Sequence, residues 1–477
     1  MKQHISLFLA FLICTTLNAQ KDPHGQDKLI QSYDKVMDSI AKNNPLPTFI
    51  VGGLTKNGFF YQYHHGNKLW EGKEPISNHH IFRIYSMTKA VTSLAAMQLV
   101  EKGKITLDEP LDKLMPEMTE IPILTKEGKL VKATKSITLR QLLTHTAGFA
   151  YPFLHNGLNK FQKPSDWKYQ DFPRVYEAGE KWQYGTNIDW IGKIVEKISG
   201  QTLEEYFKEN ITGPLGMSRT FFSVPDELVS EITSFGQLKG EQFVQDKEWQ
   251  YKDLKTTKYE GGGGLFSTFH DYGLFIQCIL NDGALNGKKI LKKETINLMF
   301  TNNMGELFTV YDDPCLEHTY LFNMSAKNVG VNKFGLGWAV DQTGRKGIRA
   351  AGTVYWSGAA CTFYSIDRKN GKAVLFFSNV LLLLIAPNTS NRNNPQKQNS
   401  HHRPPPAPPA PPPPPPPPGP FSSQRRRAKT HFGIQTPSKK RPGRGRDLPG
   451  PDCVGGGTHA MSVASRQWLF ASAVDSL

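Results

Sequence analysis

Ser86-Met87-Thr88-Lys89 opens a segment that runs on as Ala90-Val91-Thr92-Ser93-Leu94-Ala95-Ala96-Met97-Gln98-Leu99-Val100, after the short apolar stretch Ile81-Phe82-Arg83-Ile84-Tyr85. Val91, Leu94, Ala95 and Leu99 recur at helical spacing and Gly103 is a stop signal, so the spacing predicts a helix that starts at Ser86. A serine on the first turn and a lysine three residues later share one helix face. Free N–H groups and the dipole at a helix N-terminus favour negative charge developing on the serine oxygen. That is chemistry for a nucleophile beside a base; an N-capping serine is the bland alternative. Ser-x-x-Lys also occurs at Ser32/Lys35 and Ser39/Lys42, on a polar amphipathic stretch, and at Ser165/Lys168 in a loop. The first two read as solvated helix faces, and the third lies among Trp, Lys and Pro.

The chain around this segment mixes two objects. Of the +15 net charge over 477 residues, the stretch from Ile385 onward carries +10 (13 Lys and Arg against 3 Asp and Glu), which leaves +5 for residues 1–384. Twenty of the 33 prolines lie in that same tail. Pro404 to Pro420 predicts a stiff polyproline II rod, and the basic clusters at Arg425–Arg427 and Lys439–Arg446 sit among Gly and Pro. Such a tail, 385–477, buries no core and is expected to be disordered. It offers a proline-rich ligand and a basic patch as a separate functional reading. The +5 of the preceding residues gives no expectation of nucleic-acid binding by the folded domain.

Residues 1–19 read as a signal peptide: Lys2, the apolar run Ile5–Leu17 and the small Ala19. The run is short for a transmembrane span, so the expectation is an exported protein, periplasmic or extracellular. Cys14, Cys278, Cys315, Cys361 and Cys453 show no metal-ligand spacing, and the odd number in the domain predicts no essential disulfide. The doublets His64-His65, His79-His80 and His401-His402 lack companion ligands, so no metal is expected. Gly261–Gly264 lacks the lysine and the strand–helix setting of a phosphate loop and reads as tight backbone packing. No cofactor is implied.

In order along the chain, the pattern predicts a helix over 27–43 and strands over Thr48–Leu54, Gly58–Tyr63 and Asn67–Trp70. The Ser86 helix follows, and then a helix from Thr138 to Gly148. Residues 150–183 read as loops. Helices follow over Ile188–Ile198, Leu203–Glu209 and His270–Leu280. Strands return at Gly335–Val340, Val354–Ile366 and Ala373–Val380, with a hairpin turn at Arg368–Gly371. Strands at both ends with helices between predict an α+β domain over 27–380 whose sheet is built from both ends.

Five pieces then occur in order: Ile84–Lys89, Leu142-Leu143-Thr144-His145-Thr146-Ala147-Gly148, Pro214-Leu215-Gly216-Met217, Gly262–Thr268 and Phe334-Gly335-Leu336-Gly337-Trp338. Together they resemble the serine β-lactamase-related family: class C β-lactamases, penicillin-binding peptidases and family VIII carboxylesterases. The resemblance implies a β-lactamase/transpeptidase-like fold, an antiparallel sheet flanked by helices plus an all-helical region, with the site between them. It implies Ser86 as nucleophile with Lys89 and Tyr184 as proton acceptors. The family's Tyr-x-Asn is here Tyr184-Gly185-Thr186-Asn187, with the asparagine displaced by one, which leaves Thr186 or Asn187 as a substrate contact or a helix cap. The family's strand motif is matched by Trp356-Ser357-Gly358, a substrate-binding edge, and the N–H groups of Ala359 and Ser86 would form the oxyanion hole. The family also carries a helix after its last strand, whereas no amphipathic pattern follows Val380 here.

Trp356 stands where lactam-active members have a lysine. Holding a tyrosine as phenolate near neutrality, down from its usual value of about 10, takes roughly 4 kcal/mol, and two cations do that more readily than one. With Lys89 alone, the expectation is that Tyr184 and Lys89 share one proton. A weaker pull on anionic substrates favours neutral esters. The expected function is therefore a serine hydrolase acting through an acyl-enzyme on a carboxylic ester. A β-lactamase or D,D-peptidase, or a non-catalytic binder of a peptidoglycan-like ligand, stand as alternatives.

Overall fold

The computed structural model describes residues 23–43, 46–239, 242–311, 313 and 332–381. Residues 1–19, expected to be a signal peptide, and the tail over 385–477 lie outside the described residues. Helix α1 (Pro23–Asn43) precedes strands β1 (Thr48–Thr55) and β2 (Gly58–Gly66). Strand β3 (Ile81–Arg83) leads through a 3₁₀ turn (Tyr85–Met87) into α2 (Thr88–Glu101). Then come α3 (Leu139–Leu143), α4 (Asn187–Ser199), β4 (Phe266–Thr268) and α5 (Phe269–Leu280). The chain returns as β5 (Lys333–Phe334), β6 (Ala339–Asp341), β7 (Thr353–Gly358), β8 (Thr362–Asp367) and β9 (Lys372–Ser378).

Among the described residues, β5-β6-β7-β8-β9-β1-β2 form a seven-stranded antiparallel sheet in that order. The early and late strands meet where β1 pairs with β9, from Phe49 opposite Ser378 to Thr55 opposite Lys372. Alternation along β1 explains its central place. Ile50 and Leu54 enter the main core, while Phe49 and Val51 join Met37 and Ala41 of α1 on the other face. Tyr61 and Tyr63 of β2 donate to Asp34 (2.9 Å) and Asp38 (2.8 Å) of α1. Helix α5 covers the inner face, with the Phe269 ring 5.6 Å from that of Phe377.

Helix α2 departs from its sequence pattern. The spacing predicts one apolar face, but every residue from Thr88 to Leu99 is buried. Three of its polar residues find partners inside: Thr88 Oγ1 accepts from Leu265 N–H (3.1 Å), Thr92 Oγ1 donates to Gly261 O (2.7 Å), and Gln98 Nε2 donates to Asn210 O and Ile290 O (3.0 Å each). A helix surrounded on all sides needs no polar face.

Other boundaries shift for local reasons. Asn67–Trp70 is not a strand; Asn67 makes a single bridge to Pro75 and the chain turns through Gly72. Thr138 caps α3 in a full capping box with Gln141, but the helix ends at Leu143, because His145 takes a left-handed backbone (φ 57°). Gly335–Val340 is not one strand. It bends at Gly337 (φ 92°), where a Cβ would lie 2.1 Å from Ser93 Oγ of α2.

The end of β7 abuts the approach to Ser86. A Cβ at Gly358 would fall 2.3 Å from both the Ile84 carbonyl oxygen and Thr362 Oγ1. Gly358→Ala is therefore expected to cost about 1–3 kcal/mol in chemical denaturation. An unchanged midpoint would contradict this packing.

Candidate active site

The β3–β4 ribbon delivers Ser86. Ile81 pairs with Thr268 and Arg83 with Phe266, and Ile84 N–H continues the ladder to Leu265 O at 3.2 Å. Tyr85 then adopts a left-handed backbone (φ 41°), unusual for an aromatic residue, and turns the chain into α2. Tyr272 OH holds this turn by donating to Met87 O at 3.0 Å. Met87, not Ser86, is the N-cap of α2 and caps through no side-chain bond. Ser86 is half-buried.

Lys89 is 2% exposed, and its Nζ has three oxygen partners: Ser86 Oγ at 3.2 Å, Tyr151 OH at 3.1 Å and Gly262 O at 2.5 Å. A lysine amine carries no more than three N–H donors, and three oxygens stand within reach of this one. The same nitrogen lies 4.9 Å from the Tyr184 ring centroid. Tyr184 is buried, its ring 5.4 Å from that of Tyr151 and 4.9 Å from those of Trp356 and His145. Trp356 Nε1 donates to Tyr184 OH at 3.4 Å. Trp356 thus points a neutral donor at the tyrosine oxygen. Burial, followed by the Asp189 carboxylate and Tyr184, pushes the Tyr151 hydroxyl well above its usual range. Tyr151 is a neutral phenol in the free protein.

The glycine run draws these elements together. A Cβ at Gly261 would lie 3.0 Å from Ile188 O and Thr92 Cγ2, and one at Gly262 2.2 Å from Asp189 Oδ2. Tight packing was legible in the sequence. That the packing presents the Gly262 carbonyl to Lys89 was not, because a backbone acceptor leaves no composition signal. Gly185 does the same for the tyrosines: a Cβ there would be 2.4 Å from Phe149 O, so Tyr184 and the loop bearing Tyr151 close on each other.

The remaining expected residues separate. Thr186 donates to Asp171 Oδ2 at 2.5 Å, beside the bond from Trp190 Nε1 to the same oxygen (3.0 Å). Asn187 is fully buried and directs Nδ2 at His145 Nδ1 (3.0 Å), Phe149 O (3.3 Å) and Gln183 O (3.4 Å). Its amide nitrogen is used inside the fold and braces the wall behind Tyr184. Ser357, Gly358 and Ala359 are half-buried at the end of β7. Ala359 begins a three-residue turn whose last member, Cys361, is left-handed (φ 56°), as this hairpin type requires.

The beta-lactamase family model matches residues 53–383. The chain belongs to the beta-lactamase family. It is 30% identical over 324 residues to monacolin J acid methylbutanoyltransferase from Aspergillus terreus, covering 62% of this chain and 76% of that one. Lovastatin esterase from Penicillium rubens is 29% identical over 322 residues, covering 62% and 79%. Unliganded simvastatin synthase from Aspergillus terreus superimposes with a TM-score of 0.62 at 25% identity, covering 74% of this chain and 93% of that one. The fold and the acyl-transfer class are those expected from the family resemblance.

Within this beta-lactamase-family fold, Ser86, Lys89, Tyr184 and Trp356 converge as the ordered motifs imply. Tyr151 is the residue that sequence reasoning missed. It lies in a stretch rich in Pro, Trp and Lys with no periodicity, and the only signal for it was its place three residues after Gly148 in the His145 motif.

His145 supplies a test of the wall. Burial first, and the Lys89 charge second, push its imidazole well below the usual value, so it is neutral in the fold. Unfolded histidine takes a proton near pH 6.5, whereas folded His145 takes one only at lower pH. The unfolded state therefore binds more protons below that pH, and stability drops by about 1.4 kcal/mol for each unit the pH is lowered in this window. His79 and His80 are also depressed, so the test is a difference. His145→Gln is expected to flatten the slope of unfolding free energy against pH by up to about one proton. An unchanged slope would contradict a buried neutral His145.

Proposed function

We propose that this protein cleaves a neutral carboxylic ester through an acyl-enzyme on Ser86, and passes the acyl group to water or to an acceptor alcohol. The observation that carries the proposal is the Lys89 Nζ shell: a buried amine within 3.2 Å of Ser86 Oγ and 3.1 Å of a phenol. Ser86 Oγ attacks the carbonyl carbon while its proton passes to the Lys89–Tyr184 pair. The tetrahedral oxyanion is held by the N–H groups of Ser86 and Ala359, at a site where fixed donors outperform water. The carbon–oxygen bond to the leaving alcohol breaks, and that oxygen takes the proton. Water or an acceptor hydroxyl then attacks the acyl carbon, gives its proton to the same pair, and Ser86 recovers it on release. Tyr151 acts as a positioning residue that fixes Nζ.

Trp356 supports the preference for neutral esters. It is 5% exposed and donates to Tyr184 without adding a charge, so nothing at that position attracts the carboxylate of a lactam. Two relatives point the same way, one named for transferring a methylbutanoyl group and one named an esterase. The Lys2–Ala19 pattern supports action outside the cytoplasm.

Ser86→Ala is expected to lower turnover of p-nitrophenyl butyrate by at least about a thousandfold with little change in Tm. Retained turnover would refute the assignment. Wild-type protein is expected to hydrolyse this ester faster than a chromogenic cephalosporin; the reverse order would make the protein a lactamase.

A further inference from the structure

Asp189 lies in the first turn of α4, and the mechanism above gives it no part. Its Oδ1 accepts the Gly262 N–H at 2.8 Å, and the carbonyl of that same glycine accepts from Lys89 Nζ at 2.5 Å. Only glycine permits this, since a Cβ would sit 2.2 Å from Asp189 Oδ2. One turn along α2 from Lys89, Thr92 anchors the neighbouring Gly261 carbonyl at 2.7 Å. Carboxylate, glycine and amine therefore stand in series between α4 and α2.

We propose that Asp189 is the positioning residue for Lys89. It fixes the Gly262 backbone whose carbonyl aims Nζ at Ser86, and it sets a carboxylate one residue away from the Lys89 amine. The inference rests on the proton-transfer role given to Lys89 above.

The surrounding charges allow such a role. Burial raises the Asp189 carboxyl, while Lys89 and the Gly262 N–H, and more weakly Lys193, oppose the rise; Asp171 adds to it. Around Lys89 stand Tyr151, Tyr184 and the neutral His145, with Glu260 acting on both Lys89 and Asp189. Asp189 is the carboxylate joined to Lys89 through a single residue. An amide at 189 keeps the acceptor but loses the charge, whereas alanine loses both.

The test compares Asp189→Asn and Asp189→Ala in the full chain, with p-nitrophenyl butyrate as substrate. Active sites are counted by fluorophosphonate labelling of Ser86. Asp189→Ala is expected to lower kcat/KM by at least about 30-fold, and Asp189→Asn to recover about tenfold of that. A cluster stripped of one negative charge releases its proton more readily, so the acid limb of the Asp189→Asn pH profile is expected to move at least about half a unit lower. The proposal is overturned if the limb stays at its wild-type position, if the two variants lose activity alike, or if the losses track a fall in Tm. Failure of Ser86 to label in the wild-type protein would refute the catalytic reading itself.

Discussion

Lys89 places an amine in the interior of the protein, and an isolated buried ammonium costs several kcal/mol unless its donors are satisfied. Three oxygens satisfy it, and each arrives by a different route. Ser86 comes from the turn that ends the β3–β4 ribbon, Tyr151 from the loop after Gly148, and the Gly262 carbonyl from the glycine run pinned to α4. The β3–β4 ribbon, the loop after Gly148 and the glycine run thus meet at one nitrogen. Helix α2 is buried on every side, with Thr88, Thr92 and the Gln98 amide nitrogen paired to backbone groups inside the fold.

Backbone geometry supplies much of this convergence. Glycines at 185, 261, 262 and 358 stand where any side chain would strike backbone or carboxylate atoms at distances no larger than 3.0 Å. Left-handed turns at Tyr85 and His145 aim the neighbouring segments. Strain of this kind persists where surrounding contacts over-determine it. Here Tyr272 holds the first turn, and Gln183 N–H, donating to His145 O at 2.8 Å, holds the second.

Much of this was legible before any coordinates. Val91, Leu94 and Leu99 announced α2, the Thr138 cap announced α3, and the apolar runs near both ends announced one sheet. The glycine run was legible as close packing. What escaped was whatever depended on a partner distant in sequence. Asn67–Trp70 has strand-like residues but no neighbouring strand to pair with beyond one bridge. Asn187 resembles a displaced substrate contact until His145 and Phe149 are seen to take its amide. Tyr151 and the Gly262 carbonyl carry no periodic or compositional mark, so only the folded arrangement assigns them to Lys89.

Trp356 adds a second constraint on the site: its indole N–H donates to the Tyr184 oxygen without bringing a charge. The central claim remains that Ser86 carries the acyl group. Rapid quenching during turnover of p-nitrophenyl butyrate, followed by peptide mapping by mass spectrometry, tests it directly. The account predicts one butyryl group on the peptide containing Ser86, lost as turnover completes. Continued turnover with the acyl group on another residue, or on none, would contradict it.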